Sequence, residues 1–200
     1  MAITENEKPR YTAEEYYKMI PETNRKVELI NGEIVSDYPL DELIKGDVVT
    51  TILAGPTTKH QDIVGGMFYS LYSFIKANKV SCTAYTAPLD VELDDRNVYQ
   101  PDVFIVCDRD KITDKRIIGA PDLVVEVLSP SSKKHDIVDK YTKYANSGVR
   151  EYWIIDPSEE RTIVYLFGET VNIGFYDFDQ PIPVGIWDNK LEINIAELLG

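Results

Sequence analysis

The segment "GAPDLVVEVLSPSS", residues 119–132, decides the fold because an acidic side chain lies in the middle of an otherwise apolar strand. Gly-Ala-Pro before the strand and Ser-Pro-Ser-Ser after it are typical turn residues and bound it closely. Burial of an ionised carboxylate without a partner costs several kcal/mol or more. Glu126 therefore requires a cation or strong hydrogen-bond donors, which the rest of the sequence must supply.

Length and composition predict one soluble domain. With 200 residues, 44% of them hydrophobic, the chain can form a substantial core, and we expect a single domain over residues 1–200. No apolar run is long enough to cross a bilayer, and the start "MAITENEKPR" lacks the pattern of a secretory signal. We therefore expect a cytoplasmic protein in which Cys82 and Cys107 are reduced core thiols, since neither belongs to a zinc pattern.

The net charge of −13 argues against a protein that coats nucleic acid through a broad basic surface. A local basic strip is nevertheless present in residues 131–150, which contain five basic and only two acidic residues. Composition alone favours a solvated helix face for this strip. Its basic residues are Lys133, Lys134, Lys140, Lys143 and Arg150.

The first 36 residues predict a short helix followed by a hairpin. Thr12 and Glu15 have the spacing of a capping box, and Pro21 ends the helix. Asn31-Gly32 lies between two alternating runs, which is the strongest short hairpin signal because both turn residues accept positive φ. Glu28 lies on the first arm of this hairpin.

The order of the remaining elements predicts an α/β fold, with a central mixed sheet flanked by helices (α+β) and an N-terminal helix and hairpin. Apolar residues at helical spacing in residues 57–79 predict a long helix with His60 in its first turn, and Gly65-Gly66 lets another element approach it. Strand 122–129, helix 131–148 and strand 150–156 are predicted to form a right-handed parallel crossover. The tail from residue 168 onward is predicted to be irregular, apart from a last helical turn.

Two carboxylates stand out within the predicted sheet. Asp102 follows Pro101 at the head of the strand "VFIV", and Glu126 lies within the next long strand. Two acids on adjacent strands can converge on Mg²⁺, which is typically held by one or two carboxylates plus water and phosphate oxygens. An alternative is equally consistent with these residues, namely that Asp102 caps a turn and Glu126 pairs with a nearby lysine.

Several of these segments together resemble one family. "YQPDVFIV", "GAPDLVVEVLSPSS", the spaced Asp136 and Lys140, and "YANSGVREYWIIDP" are similar to the Uma-two-type restriction endonucleases of the PD-(D/E)XK nuclease superfamily. The upstream segments "VELINGEIV" and "PTTKHQDIVGGMF" extend the resemblance over residues 11–156. The resemblance implies a restriction-endonuclease-like core, a bacterial setting and hydrolysis of nucleic acid, DNA in the first place, with Mg²⁺ or Mn²⁺ as cofactor.

By the same resemblance, Asp102 and Glu126 are the catalytic, metal-binding acids. The superfamily usually places a lysine two residues after the strand acid, but this sequence has Leu128 there, as the Uma-two-type family also has an aliphatic residue. Lys140 is the predicted replacement, because it borders a helical stripe that should face the sheet and can project its ammonium towards Glu126. An ordinary ion pair with Asp136 is the alternative. The residues of the stripe are Ile137, Val138, Tyr141, Tyr144 and Ala145.

The resemblance also gives roles to residues outside this strand and helix. Glu28 is a candidate metal ligand and His60 a candidate contact to substrate phosphate or a proton shuttle. A surface strand position paired with Lys26 or Arg25 is the alternative for Glu28, and a half-exposed helix position is the alternative for His60. Lys133 and Lys134 are the predicted substrate-binding cations. The aromatic residues Tyr144, Tyr152 and Trp153 are predicted to line the core or a groove, with base stacking as the other option.

Two classes of function fit these residues. The first is a metal-dependent nuclease, for which cleavage of both strands of a duplex favours a homodimer. The second is a catalytically silent nuclease-fold module that binds nucleic acid or a protein. A pair of buried acids repels itself, so a silent module would gain stability by losing one of them, which favours the nuclease.

Overall fold

Three helices are found in the computed structural model, which describes residues 9–20, 26–36, 50–52, 56–129 and 134–199. None of the described helices is both long and apolar enough to span a membrane. Short 3-10 turns lie at residues 109–111, 185–187 and 196–198. The helices are α1 (Ala13–Met19), α2 (Thr58–Asn78) and α3 (Lys134–Ser147).

Fourteen strands are present in the described part of the chain, and most of them are short. In chain order they are β1 (Val27–Ile30), β2 (Glu33–Ser36), β3 (Thr50–Ile52), β4 (Thr83–Thr86), β5 (Val91–Asp94), β6 (Asn97–Tyr99), β7 (Val103–Val106), β8 (Ile117–Ile118), β9 (Leu123–Val127), β10 (Glu151–Asp156), β11 (Arg161–Leu166), β12 (Asn172–Asp177), β13 (Pro181–Pro183) and β14 (Glu192–Asn194).

Twelve of these strands form two six-stranded mixed sheets rather than the one central sheet expected from the sequence, and β13 and β14 form a separate pair. The first sheet has the order β3-β2-β1-β6-β5-β8, and the second has the order β12-β11-β10-β9-β7-β4. The segment "VYQPDVFIV" is divided between them, with β6 in the first sheet and β7 in the second. Pro101 lies at the division, where its missing N–H interrupts the hydrogen-bond ladder.

The predicted crossover forms the centre of the second sheet. β9 and β10 pair in parallel with α3 between them in the chain, and Glu126 lies opposite Ile154. β7 pairs with β9 in antiparallel fashion, with Val103 opposite Val125. This register brings Asp102, directly before β7, next to the end of β9.

The two faces of the second sheet carry separate apolar clusters because strand side chains alternate between faces. Leu123, Val125 and Val127 of β9 pack with α2 and the C-terminal segment, in a cluster that also contains Trp153 and Trp187. Val124 faces the opposite side, where Tyr144 of α3 packs. Glu126 shares the face of Val124 and therefore points towards α3.

Several local predictions from the sequence are confirmed. Thr12 and Glu15 form the capping box of α1. Asn31 and Gly32 both have positive φ, at 51° and 81°, in the turn between β1 and β2. A Cβ atom on Gly66 would lie 2.8 Å from the Leu198 side chain, so this glycine permits the close approach of the C-terminal turn to α2.

The C-terminal tail is more regular than predicted. Strand β12 extends the second sheet beside β11, and β13 pairs with β14 in a small hairpin. Glu151 on β10 fixes this segment, because its carboxylate accepts hydrogen bonds from Trp153 Nε1 at 2.7 Å and from the backbone N–H of Ile186 at 2.8 Å. Strands of three residues are too short for their alternation to be recognised in the sequence.

The prediction of two reduced cysteines is wrong. Cys82 and Cys107 form a disulfide, and their Cα atoms are 3.9 Å apart. Antiparallel pairing of Thr83 with Val106 brings the flanking cysteines directly opposite each other. This proximity depends on strand register, which spacing along the chain does not show.

Candidate active site

A cluster of buried charged side chains lies where the two sheets meet, near the link from β6 to β7. It draws on both sheets and on two helices, since β1 supplies one acid, the link another and β9 a third, while α2 and α3 supply the remaining members. Each of these residues is less than a tenth exposed. They are Glu28, His60, Asp102, Glu126 and Lys140.

Asp102 is fixed by contacts to both of its carboxylate oxygens. Oδ2 accepts a hydrogen bond from the backbone N–H of Val127 at 2.8 Å, and His60 Nε2 lies 3.4 Å from the same oxygen. Oδ1 lies 3.0 Å from Lys26 Nζ. Asp102 therefore joins β9, α2 and the start of β1 and does not simply cap a turn.

Glu126 has the partners that its burial requires. Lys140 Nζ and Tyr144 OH each donate to Oε1 at 2.9 Å, and both come from α3. Oε2 faces Lys26 Nζ at 4.0 Å. Two lysines and a tyrosine hydroxyl thus compensate the charge in the middle of the apolar strand.

Glu28 is buried and does not lie at the surface. Its Oε1 accepts from the backbone N–H of Gln100 at 2.8 Å and from Lys140 Nζ at 3.2 Å. The Gln100 contact crosses from β1 to the link between the sheets. Lys140 therefore bridges Glu28 of the first sheet and Glu126 of the second.

The orientation of α3 differs in part from the predicted stripe. Tyr144 is fully buried as expected, but Val138 is 61% exposed, whereas Lys140 is only 8% exposed. The helix is thus rotated so that the lysine faces the sheet. Two buried acids at this position make a cation there more favourable than an apolar side chain. The alternative partner Asp136 has a side chain outside the described residues.

Burial and neighbouring charges shift the pKa values of the two central acids in opposite directions. Burial alone would raise the pKa of Asp102, but Lys26 and His60 outweigh it and hold that pKa well below its usual range. At Glu126 burial dominates and raises the pKa in spite of the nearby Lys140. Environments that separate the pKa values of paired acids are typical of functional sites.

Lys140 is charged in this arrangement. Burial would lower the pKa of its ammonium, but Glu126 and Glu28 outweigh that effect and hold the pKa well above its usual range. The ring of Tyr99 lies 5.5 Å from the ammonium and adds a favourable contact. Lys140 can therefore donate hydrogen bonds and stabilise negative charge.

His60 is buried in the first turn of α2, contrary to the alternative of a half-exposed helix position. Thr57 caps this helix by accepting from the backbone N–H of His60 at 3.2 Å. Nε2 faces Asp102, whereas Nδ1 is buried and has no hydrogen-bond partner among the described residues. His60 thus has one nitrogen on the acid, and its other nitrogen is buried without a partner in the described part of the chain.

The basic strip of residues 131–150 is largely neutralised where the structure describes its side chains. Lys143 pairs with Asp94 at 2.7 Å, and Arg150 lies 3.2 Å from Asp122. Lys140 is buried as described above. Lys133 and the side chain of Lys134, the predicted substrate-binding cations, lie outside the described residues.

The aromatic residues near the site are part of the core. Tyr144, Tyr152 and Trp153 are each at most 1% exposed, so none of them presents a face for a base to stack on. Tyr144 has a second role, since its hydroxyl donates to Glu126. The predicted core position is thus correct, and stacking with substrate is excluded for these three rings in this arrangement.

Asp102 and Glu126 fit the requirements of a magnesium ion. One oxygen of each acid is held by other donors: the backbone of Val127 holds Oδ2 of Asp102, and Lys140 and Tyr144 hold Oε1 of Glu126. The remaining oxygens, Oδ1 of Asp102 and Oε2 of Glu126, both face the ammonium of Lys26. A cation is therefore already accommodated between them. In the described ranges no group of three or more His, Cys, Asp or Glu side chains gathers to hold a metal, but two carboxylates suffice for Mg²⁺.

Lys26, which contacts two acids of the cluster, is a residue that the sequence did not identify as part of the site. It contacts Asp102, which is 76 positions away in the chain. The one available signal was the spacing of Lys26 and Glu28, because residues two apart on an extended chain point to the same face. That spacing suggested only a surface ion pair.

Comparisons with known proteins agree with this fold and arrangement. Residues 13–184 match the Uma2 family, which is described as "Putative restriction endonuclease". The chain belongs to this family, which confirms the resemblance found in its motifs. A search of the curated proteins finds no match.

A solved structure supports the fold independently. The chain is similar to a protein from Anabaena variabilis ATCC 29413, described as "a putative nuclease belonging to DUF820". The two share 23% sequence identity and superpose with a TM-score of 0.71, over 94% of this chain and 97% of the other. This likeness confirms the predicted restriction-endonuclease-like α/β fold class, with its mixed sheets and three described helices.

Proposed function

We propose that the protein is a metal-dependent endonuclease that hydrolyses phosphodiester bonds of nucleic acid, DNA in the first place. One observation carries this proposal: Asp102, directly before β7, and Glu126 on β9 direct Oδ1 and Oε2 at a single cation position, that of the Lys26 ammonium. Membership of the Uma2 family and the likeness to a protein described as a nuclease support it. Mg²⁺ is the proposed cofactor, with Mn²⁺ as a substitute.

Asp102 and Glu126 would hold the metal through Oδ1 and Oε2. A divalent ion held there would supply Lewis-acid chemistry, by lowering the pKa of a water and stabilising the charge that develops on the phosphate. The protein contributes a rigid frame for this chemistry. The backbone of Val127 and the Tyr144 hydroxyl fix the two carboxylates through their other oxygens.

Lys140 is the proposed replacement for the lysine that the superfamily usually has at the position of Leu128. Its ammonium lies 2.9 Å from Glu126 Oε1 and is positively charged, so it can orient the attacking water or hold the scissile phosphate. Glu28 then positions Lys140 rather than binding metal directly, and His60 positions Asp102 through Nε2. Lys133 and Lys134 remain proposed contacts to the substrate backbone.

A cleavage assay across plasmid DNA, single-stranded DNA and RNA, titrated with Mg²⁺ and Mn²⁺, tests the proposal. We expect metal-dependent cleavage by the wild-type protein and none by Glu126→Gln, which keeps the shape of the side chain but loses its charge. Glu159→Gln, an exposed residue in the turn after β10, is the matched control and should cleave normally. Absence of cleavage in every condition, together with binding of nucleic acid, would instead support the silent module.

A further inference from the structure

The cation position between the two central acids is occupied by Lys26. Its ammonium lies 3.0 Å from Asp102 Oδ1 and 4.0 Å from Glu126 Oε2. The side chain of Lys26 is 27% exposed, whereas those of Asp102 and Glu126 are each 8% exposed. Lys26 is thus nearer to solvent than the acids it neutralises, and it covers the oxygens proposed to bind metal.

We propose that Lys26 occupies the metal position in the metal-free protein and that a divalent cation binds by displacing its ammonium from Asp102 and Glu126. This inference rests on the proposed function, because it takes the same two carboxylates as metal ligands. It assigns Lys26 a function of its own, as a built-in competitor that sets the affinity of the site for metal.

The charges of the cluster explain why a resident cation is needed. Asp102 and Glu126 are close enough to share one ammonium, and both are buried, so they repel each other when no cation is present. Lys140 is committed to Glu126 and Glu28 on the opposite side. Lys26 therefore supplies the charge that keeps the carboxylates together without metal.

The position and chemistry of Lys26 also make it displaceable. A lysine carries its point charge on a flexible four-carbon stem, so the ammonium can leave while the backbone before β1 stays in place. Asp102 Oδ2 and Glu126 Oε1 keep their own donors during the exchange. A divalent ion brings twice the charge to the same two oxygens, which favours the replacement.

Calorimetric titration of Mg²⁺ and Mn²⁺ into variants without substrate tests this exchange. Because the wild-type protein must break the Lys26 contacts before metal binds, we expect Lys26→Met to bind metal about tenfold or more tightly, the factor that corresponds to a modest buried ion pair. Lys26→Arg retains a competing cation and should bind metal about as weakly as wild type. Lys143→Met removes an ion pair away from the site and should leave the affinity unchanged.

The outcomes separate the two proposals. If wild type binds metal and Lys26→Met binds it no more tightly, Lys26 is not a competitor and this inference fails, while the proposed nuclease stands. If neither protein binds metal, the proposed metal site is wrong and the inference falls with it. Tighter binding in Lys26→Met alone supports both.

A measurement on the wild-type protein avoids any dependence on how well Lys26→Met folds. Acylation of lysines, followed by mass spectrometry of peptides, reports which ammonium groups leave their ion pairs. We expect Lys26 to react several times faster when Mg²⁺ is added, because metal binding releases its side chain into solvent. Lys143 should react at the same rate with and without metal. A rate at Lys26 that does not change with metal, in a protein shown to bind it, overturns the inference.

Discussion

Lys140 is enclosed by acids, so its removal takes the ammonium partner from Glu28 and leaves Glu126 with Lys26 alone, 4.0 Å away. Lys140→Met should abolish cleavage and also destabilise the fold by about 3 to 5 kcal/mol at neutral pH, the usual cost of breaking a buried ion pair from one side. Lys143→Met, which breaks a partly exposed pair with Asp94, should cost at most about 1 kcal/mol and cleave normally. Chemical denaturation and the cleavage assay measure the two effects.

The stability lost in Lys140→Met should depend on pH with a definite sign. Without the ammonium, the pKa of Glu126 in the folded state rises further above its value in the unfolded chain. A carboxyl with a raised folded-state pKa favours folding at low pH, and that contribution is lost as pH rises through the folded-state pKa. The variant should therefore approach wild-type stability as the pH is lowered from neutral towards the range where Glu126 is protonated. A deficit that stays constant over this range contradicts the assigned pairing.

At the scale of residues, the sequence predicted the acids better than their partners. An acid inside an apolar strand must be compensated, so Glu126 stood out, and helical geometry led from it to Lys140. Lys26 had no comparable signal, because its contact to Asp102 spans 76 residues and depends on how the sheets meet. Glu28 illustrates the same limit, since its burial follows from the contact with Gln100 across the two sheets.

At the scale of elements, Glu151 connects β10 to the C-terminal segment. It is fully buried, and burial raises the pKa of its carboxyl, although hydrogen bonds from Trp153 and the backbone of Ile186 oppose the rise. Glu151→Ala should lower the free energy of unfolding by roughly 2 to 4 kcal/mol, because each buried donor left without an acceptor costs about 1 to 3 kcal/mol.

The control for this variant is Glu159→Ala in the exposed turn between β10 and β11. We expect its midpoint of denaturation to equal that of the wild-type protein. Equal stability of Glu151→Ala and Glu159→Ala would show that the C-terminal segment is held by apolar packing alone. Hydrogen exchange of the Ile186 amide distinguishes these cases directly, because it should accelerate only in Glu151→Ala.

Several elements were predicted from a sustained apolar pattern or a clear turn signal, but the six-residue strand β12 was not. Helix α2 and the β9–α3–β10 crossover follow from sustained apolar patterns, and the β1–β2 hairpin follows from Asn31-Gly32. The β13–β14 hairpin has strands of only three residues, and its pairing depends on contacts with the rest of the fold. Local propensity does not determine such short strands.

At the scale of the whole molecule, the sequence indicated one central sheet, whereas the described residues form two six-stranded sheets and the small β13–β14 pair. The segment "VYQPDVFIV" passes from the first sheet to the second without a loop. The sequence therefore predicted its strands correctly but not their division between two sheets. The division matters for function because the charged cluster lies at the boundary. Lys26 and Glu28 come from one side, and Asp102, Glu126 and Lys140 come from the other or from the link.

The placement of both tryptophans in the α2-side cluster determines what fluorescence can report. Trp153 and Trp187 are the chain's two tryptophans, so their emission follows the second sheet, whereas the small core of the first sheet around Tyr16 and Leu29 has none. Because ion pairs join the sheets, we propose that the chain unfolds as one domain, and the emission curve should coincide with loss of hydrogen-exchange protection at Leu29. If the protection at Leu29 is lost before the emission changes, a state exists in which the first sheet is unfolded and tryptophan fluorescence does not detect it.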